Sequence, residues 1–293
     1  MTATISTYLL IVAGATVRVT GSGLGCPDWP TCHGRLLPPL ETTALIEYTH
    51  RLLGAITSAL ILAVPAGAFW ARREWRFLLP AVALPALLAL QVALGALVVR
   101  LELDPLAVLI HLGFALVILG GMVWLTIAEA TDPQIVSDSH FVGRSLTPLL
   151  AALAALTFAL LLTGGVTRAT GASWACRGFP GCDVPREALA SMGQPATLVA
   201  IHQVHRAMAY LIAFLGLLAA VVVWRARDGA PRTAAAALAG SLAAQVTIGA
   251  LAVSTGLPAV LRGGHVAGAA AVWAATVSLV ALEARSQRGR RNQ

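Results

Sequence analysis

An all-α integral membrane protein, with eight transmembrane helices arranged as two pseudo-twofold related four-helix bundles, is the fold class this sequence predicts. Three observations predict it. Of the 293 residues, 58% are hydrophobic and only 11% charged, and the mean hydropathy of +0.80 is far from the balance of a soluble domain. Apolar runs able to cross a hydrocarbon core, about 20 residues each, occur eight times. Motifs of the first half of the chain also return in the second at nearly constant spacing.

The runs cover residues 5–17, 44–69, 77–99, 106–128, 146–166, 196–224, 233–253 and 259–282. The first is short. Lipid offers no partner to backbone N–H and C=O groups, so a span is a helix or part of a closed barrel, and these runs lack the alternation of barrel strands. The first run has no basic segment ahead of it and no convincing cleavage site behind it. It is therefore expected to remain a span rather than act as a cleaved signal peptide.

A net charge of +7 and a pI near 10.2 would suit nucleic acid, but the basic residues, all arginine, are distributed as a topology signal. Arg72, Arg73 and Arg76 lie between runs two and three, Arg225, Arg227 and Arg232 between six and seven, and Arg285, Arg288, Arg290 and Arg291 in the tail. An arginine excess marks such segments as cytoplasmic. Both termini are then inside a bacterial or archaeal plasma membrane, with lipid and not nucleic acid as the surroundings. The connection at 129–145 carries Arg144 against several acids and obeys the rule only weakly.

This orientation puts all four cysteines outside, where thiols oxidise. Cys26 with Cys32 and Cys176 with Cys182 are expected to close two small disulfide loops, helped by turn-forming Pro27, Pro30 and Pro180. A metal site is the alternative, on spacing that matches zinc ligation poorly.

The repeat reveals what each half must do. Arg18, Thr20, Gly21, Cys26, Pro30 and Cys32 return as Arg168, Thr170, Gly171, Cys176, Pro180 and Cys182, each 150 positions later, and the segment from Gln91 to Val98 matches that from Gln245 to Ala252. Residues 1–130 and 146–293 are then two four-helix units joined by a cytoplasmic linker, 131–145. With an even number of helices per unit, the repeat is parallel, about an axis along the membrane normal.

The histidines follow the duplication. His50-Arg51 returns as His205-Arg206 and His111 as His265, one histidine on the second and one on the fourth helix of each unit. His50 and His111 lie about 8–9 Å below the outer surface at 1.5 Å per residue. A level pair of inward histidines can grip a haem iron from both sides. The competing reading of a lone membrane histidine is helix packing or a proton relay. Gly113, Gly263, Gly264 and Gly268 would let a flat macrocycle approach, although glycine also serves helix packing. Arg51 and Arg206, with Arg18, Arg168, Arg100 and Arg262 nearer the outer ends, are candidates to hold haem propionates, against a reading in which they snorkel to lipid phosphates. His33 and His140 fall in loops and receive no role. His202 is either an alternative ligand or a group supporting His205.

The halves differ at one informative place. Glu47 precedes His50 by three residues, whereas His202 precedes His205. A carboxylate beside a haem edge can accept a proton or steady developing positive charge; the alternative is a salt bridge to Arg51.

The run from Arg18 through Gly-Cys-Pro-Asp-Trp-Pro-Thr to Cys32, the Glu47-x-x-His50-Arg51 segment, Ile110-His111-Leu112-Gly113, His205-Arg206 and Arg262-Gly-Gly-His265 together resemble haem A synthases over nearly the whole chain. That resemblance implies an oxidoreductase acting on a CH group, converting the C8 methyl of haem O to the formyl of haem A, the cofactor of terminal oxidases. It implies a resident haem b on His205 and His265, substrate haem O near His50 and His111, and Glu47 as the catalytic carboxylate. It also implies haem O supplied by haem O synthase, an electron acceptor, and terminal-oxidase assembly factors; a homo-oligomer is left open. The resemblance would place a basic lead ahead of the first helix, where this chain has almost nothing. A dihaem cytochrome b that only transfers electrons is the main rival, and a transporter with histidine proton carriers the second.

Overall fold

The structure, a computed structural model, describes residues 1–71, 75–130, 145–183 and 195–291. Its long helices are α1 (Thr2–Val19), α2 (Thr42–Trp70), α3 (Trp75–Arg100), α4 (Pro105–Ala130), α5 (Thr147–Ala169), α6 (Pro195–Ala226), α7 (Ala230–Ser254) and α8 (Ala259–Arg291). All eight are long and apolar enough to cross a membrane. Arg72, Arg73, His140, Arg144 and nearly all of the 131–145 connection lie outside the described residues.

The expected short first span is a full 18-residue helix. Its opening residues are polar, which hides them from a hydropathy reading, but the hydroxyls of Thr4, Ser6 and Thr7 are satisfied. Thr7 donates to the Ala3 carbonyl at 2.8 Å, Ser6 pairs with Thr57 of α2 at 2.7 Å, and Thr4 meets Thr126 of α4 at 2.6 Å. Once paired, such groups tie helices together instead of opposing burial. The helix ends where Gly21 turns left-handed (φ 72°) and the Ser22 amide reaches back to the Val17 carbonyl at 2.9 Å, a closure that favours a residue without Cβ.

The chain divides into two compact units, Met1–Thr126 and Ile127–Gln293. In the first, Ala3, Ile61, Ala68, Ala81, Leu84, Ile118 and Met122 form an apolar core drawn from all four of its helices. These residues lie at the beginnings of α1 and α3 and the later parts of α2 and α4, away from the loop bearing Cys26. The second unit repeats this, with Leu150, Leu153, Ile212, Val223, Leu238, Leu242 and Leu279 drawn from α5 to α8. Each unit is therefore packed tightly at one end. The chemistry-bearing residues gather at the other.

One arginine of the topology pattern has another task. Arg227 is 3% exposed and grips Glu283 of α8 in a two-pronged pair, Nε to Oε2 at 3.1 Å and Nη2 to Oε1 at 2.8 Å. Glu283 also accepts the Leu146 amide at 3.2 Å, fastening the start of α5 to α8. A planar guanidinium suits such a bidentate site.

Candidate functional site

His50 of α2 presses its ring against Gly14 of α1, where a Cβ would lie 3.1 Å from Cε1, and His111 of α4 lies against Gly95 of α3 with the matching distance 3.2 Å. The second unit repeats the arrangement. His205 of α6 backs onto Gly164 of α5 at 3.0 Å and His265 of α8 onto Gly249 of α7 at 2.9 Å. Gln91 brings its amide nitrogen to 3.2 Å from His111 Nε2, as Gln245 does to His265 at 3.3 Å. His50 is within electrostatic reach of His111, and His205 of His265. Each pair is thus assembled inside one unit.

Counting from the helix starts, His205 lies ten residues into α6 and His265 six into α8, so distance from a helix start is a poor measure of level in that unit. The reason is that α6 begins early.

The Nδ1 atoms of His50, His111 and His265 are buried without a hydrogen-bond partner among the described residues. Leaving such an atom unsatisfied costs about 1–3 kcal/mol, so the imidazoles are not there merely to bond neighbouring helices. Two imidazoles per unit, each backed by glycine, would suit a haem iron, which at His111 and His265 would take the place of the Gln91 and Gln245 amides now at Nε2. The glycines near the histidines in sequence behave differently: Gly268 lies under Gln245, and a Cβ on Gly264 would come no closer than 3.8 Å to Ile248. They serve packing of α8 on α7.

Over each histidine pair stands a disulfide loop. Cys26 is bonded to Cys32 (S–S 1.97 Å) and Cys176 to Cys182 (1.98 Å), with a cis peptide before Pro30 and before Pro180. The first loop rests on the start of α2. A Cβ on Gly25 would lie 2.4 Å from the Thr43 carbonyl carbon and oxygen, and backbone cannot move aside as a side chain can. Gly25→Ala is expected to destabilise the protein by about 1–3 kcal/mol, seen as a lowered thermal midpoint in detergent. An unchanged midpoint would contradict this close approach.

Asp28 organises the loop tip. It accepts the Thr31 hydroxyl, the Gly34 amide at 2.9 Å and the His33 amide at 2.5 Å, and these bonds, the Thr31 hydroxyl foremost, hold its carboxyl down at about 2. The stabilisation is present above the ordinary carboxylate range and is lost as pH falls through about 2. His33 is exposed, as a loop histidine should be, yet its Nε2 also meets the Gly25 carbonyl at 2.9 Å.

Arg51 and Arg206, read from sequence as propionate ligands, are occupied by these loops. Arg51 donates to the carbonyls of Asp28 and Thr31 at 2.7 Å each, to that of Cys26 at 2.8 Å, and to Glu47 Oε1 at 2.5 Å. Arg206 donates to the Gly181 carbonyl and to that of Gly178 at 3.1 Å. Each tight loop turns its carbonyls toward the helix, and a guanidinium fork satisfies several of them at once. Removing Arg51 would strand three carbonyls and leave Glu47 buried without its cation, so Arg51→Met is expected to cost about 3 kcal/mol. Arg206→Met, which breaks no ion pair, should lower the thermal midpoint less; equal losses would contradict the account.

Glu47 is 4% exposed. Its Oε2 accepts the Cys26 amide at 2.9 Å while Oε1 holds Arg51. The salt bridge weighed as an alternative to catalysis is therefore present. It does not remove the carboxylate from the site, because Glu47 shares a helix face with His50 three residues later. In the second unit His202, also 4% exposed, brings Nδ1 to 2.8 Å from the Ala172 carbonyl. That bond ties His202 to the loop that follows α5.

Eight helices long and apolar enough to cross a membrane, with a half-buried histidine pair in each unit, define an all-α membrane protein. The family model of the COX15-CtaA proteins, described as cytochrome oxidase assembly protein, matches residues 1–277, and the chain belongs to that family. It is 33% identical over 188 residues to the heme A synthase of Bacillus licheniformis, covering 61% of this chain and 60% of that protein. It is 32% identical over 184 residues to that of Bacillus pumilus, covering 59% of each, and 29% identical over 239 residues to that of Exiguobacterium sibiricum, covering 78% of this chain and 75% of that one. The matched stretch thus spans about three-fifths of the two Bacillus proteins.

Proposed function

We propose that this protein is a haem A synthase, a membrane oxidoreductase that converts the C8 methyl of haem O to a formyl group. The observation that carries the reading is the fourfold recurrence of a half-buried histidine backed by a glycine, broken by an asymmetry: a buried carboxylate, Glu47, beside one histidine pair and His202 beside the other. A protein that only moved electrons between two haems would have no use for that difference.

In this reading residues 1–130 form the substrate unit, 131–145 a cytoplasmic linker and 146–293 the resident unit, related as two four-helix bundles by a pseudo-twofold axis. Both termini face the cytoplasm and both disulfide loops face outward, as the arginine distribution supports. His50 and His111 bind substrate haem O. His205 and His265 hold haem b, which supplies a route for electrons leaving the substrate. Arg51 and Arg206 brace the loops over the two sites, and N–H groups left beyond those bonds face the propionates. Glu47 takes up the proton released as the methyl C–H bond breaks, or steadies positive charge developing at that carbon. Haem O synthase, an electron acceptor and oxidase assembly factors are the partners such a reaction requires.

The test is chemical. The purified protein should show Soret absorbance, and extraction of its pigment should yield haem b together with haem O or haem A, identified by chromatography and mass. Membranes containing the protein should convert haem O to haem A. A colourless protein made with ample haem would end the reading, and bound haem without conversion would leave the electron-transfer alternative standing.

A further inference from the structure

The two histidine pairs share their glycine backing and their glutamine neighbours, so a difference between them bears on why one haem should stay and the other should come and go. The α4 and α8 histidines give no such difference, since Gln91 and Gln245 stand at 3.2 and 3.3 Å from His111 and His265. The α2 and α6 histidines do. His205 Nδ1 lies 3.0 Å from the hydroxyl of Thr163, whereas His50 Nδ1 is buried with no partner among the described residues. Thr163 immediately precedes the glycine that backs His205. The residue in the same place before Gly14 is Ala13, which has no hydroxyl to offer.

The direction of the Thr163 bond can be assigned. The hydroxyl has one proton, and it is given to the Leu160 carbonyl at 2.7 Å, an acceptor that cannot return one. The bond to His205 must then run from Nδ1–H to the threonine oxygen. This selects the tautomer whose Nε2 carries the lone pair, and it fixes the ring about its Cβ–Cγ bond. An acceptor on Nδ1–H also makes Nε2 the more basic donor toward a metal.

Resting on the haem reading above, we propose that Thr163 is a positioning residue for His205 and that it makes the second unit a site of retention. The first unit, with alanine in that place, holds its haem through a less constrained histidine and releases it. A substrate site needs that release, because haem A must leave.

The experiment uses the full-length protein purified with its bound haem, in wild-type form and as Thr163→Val, Thr163→Ser and Ala13→Thr. Loss of haem to a haem-free scavenger globin is followed, together with the midpoint potential of the second-unit haem. Thr163→Val is expected to lose that haem about 10–100-fold faster and to shift its midpoint potential upward, because a weaker imidazole donor stabilises ferric iron less. Thr163→Ser, which restores the hydroxyl, should return both readings to those of wild type. Ala13→Thr should slow release from the first unit. If Thr163→Val matches wild type in rate and potential while both retain haem, the inference is overturned alone. A serine variant that behaves like valine overturns it too, by showing a packing effect. Wild-type protein that binds no haem overturns the functional reading and this inference with it.

Discussion

Glu47→Gln is expected to lower conversion of haem O to haem A in membranes by about 10²–10⁴-fold while leaving bound haem b undiminished. The argument starts from the loop. Glu47 is held at both oxygens, by the Cys26 amide at 2.9 Å and by Arg51 at 2.5 Å, so its position is set by the disulfide loop and not by the substrate. Glutamine has the same shape and can still accept the Cys26 amide through its one carbonyl oxygen. It can neither take a proton at neutral pH nor stabilise a cation with a full charge. Its NH2 group would also meet the Arg51 donor, so some loosening of the loop is expected, and the thermal midpoint must be recorded beside the rate. A rate that collapses with pigment and fold retained assigns the carboxylate to the reaction. Conversion at the wild-type rate would remove Glu47 from it and leave it as an anchor of the loop.

Much of this arrangement was legible in the sequence, and the parts that were not share a cause. The eight spans follow from apolar length alone, and the histidine pairs from the near-constant offset that also carries the cysteines. Side-chain direction was harder. Arg51 and Arg206 flank the histidines, and nothing in the chain says that the tight disulfide loops turn carbonyls inward for both guanidinium forks to bond. The polar start of α1 was invisible because pairing of Thr4 and Ser6 with Thr126 and Thr57 depends on which faces of α1, α2 and α4 meet. The glycines are the instructive case. The glycines adjacent to the histidines in sequence are Gly113, Gly263, Gly264 and Gly268, whereas the backs of the rings are Gly14, Gly95, Gly164 and Gly249 on the preceding helices. All four stood inside the repeated motifs. A glycine kept at the offset of the cysteines (Gly14, Gly164) or of the second histidine (Gly95, Gly249) was the available signal, and it points across a helix pair rather than along one helix.

That distinction yields the second large effect. Gly249→Val is expected to strip the haem from the second unit about as completely as His265→Ala, although it alters no ligand. A Cβ at Gly249 would sit 2.9 Å from His265 Cε1 and 3.3 Å from Nδ1, closer than side-chain contacts tolerate, and valine adds two further methyl groups. The ring can only move away from α7, because the added side chain fills the space against which Cε1 and Nδ1 now rest. Overpacking of this kind costs about 1–3 kcal/mol when the surroundings yield, and here what yields is the imidazole. Gly264→Ala is the control: it is adjacent to His265 in sequence, but its Cβ would come no nearer than 3.8 Å to Ile248, an ordinary contact. Haem per protein, from absorbance of the purified variants, should fall at least tenfold at the second-unit site for Gly249→Val and for His265→Ala and stay near wild type for Gly264→Ala. Equal retention in Gly249→Val and Gly264→Ala would mean that the glycine behind the ring does not set its position, and the recurrence of that glycine in both units would lose its claim to be part of a haem site.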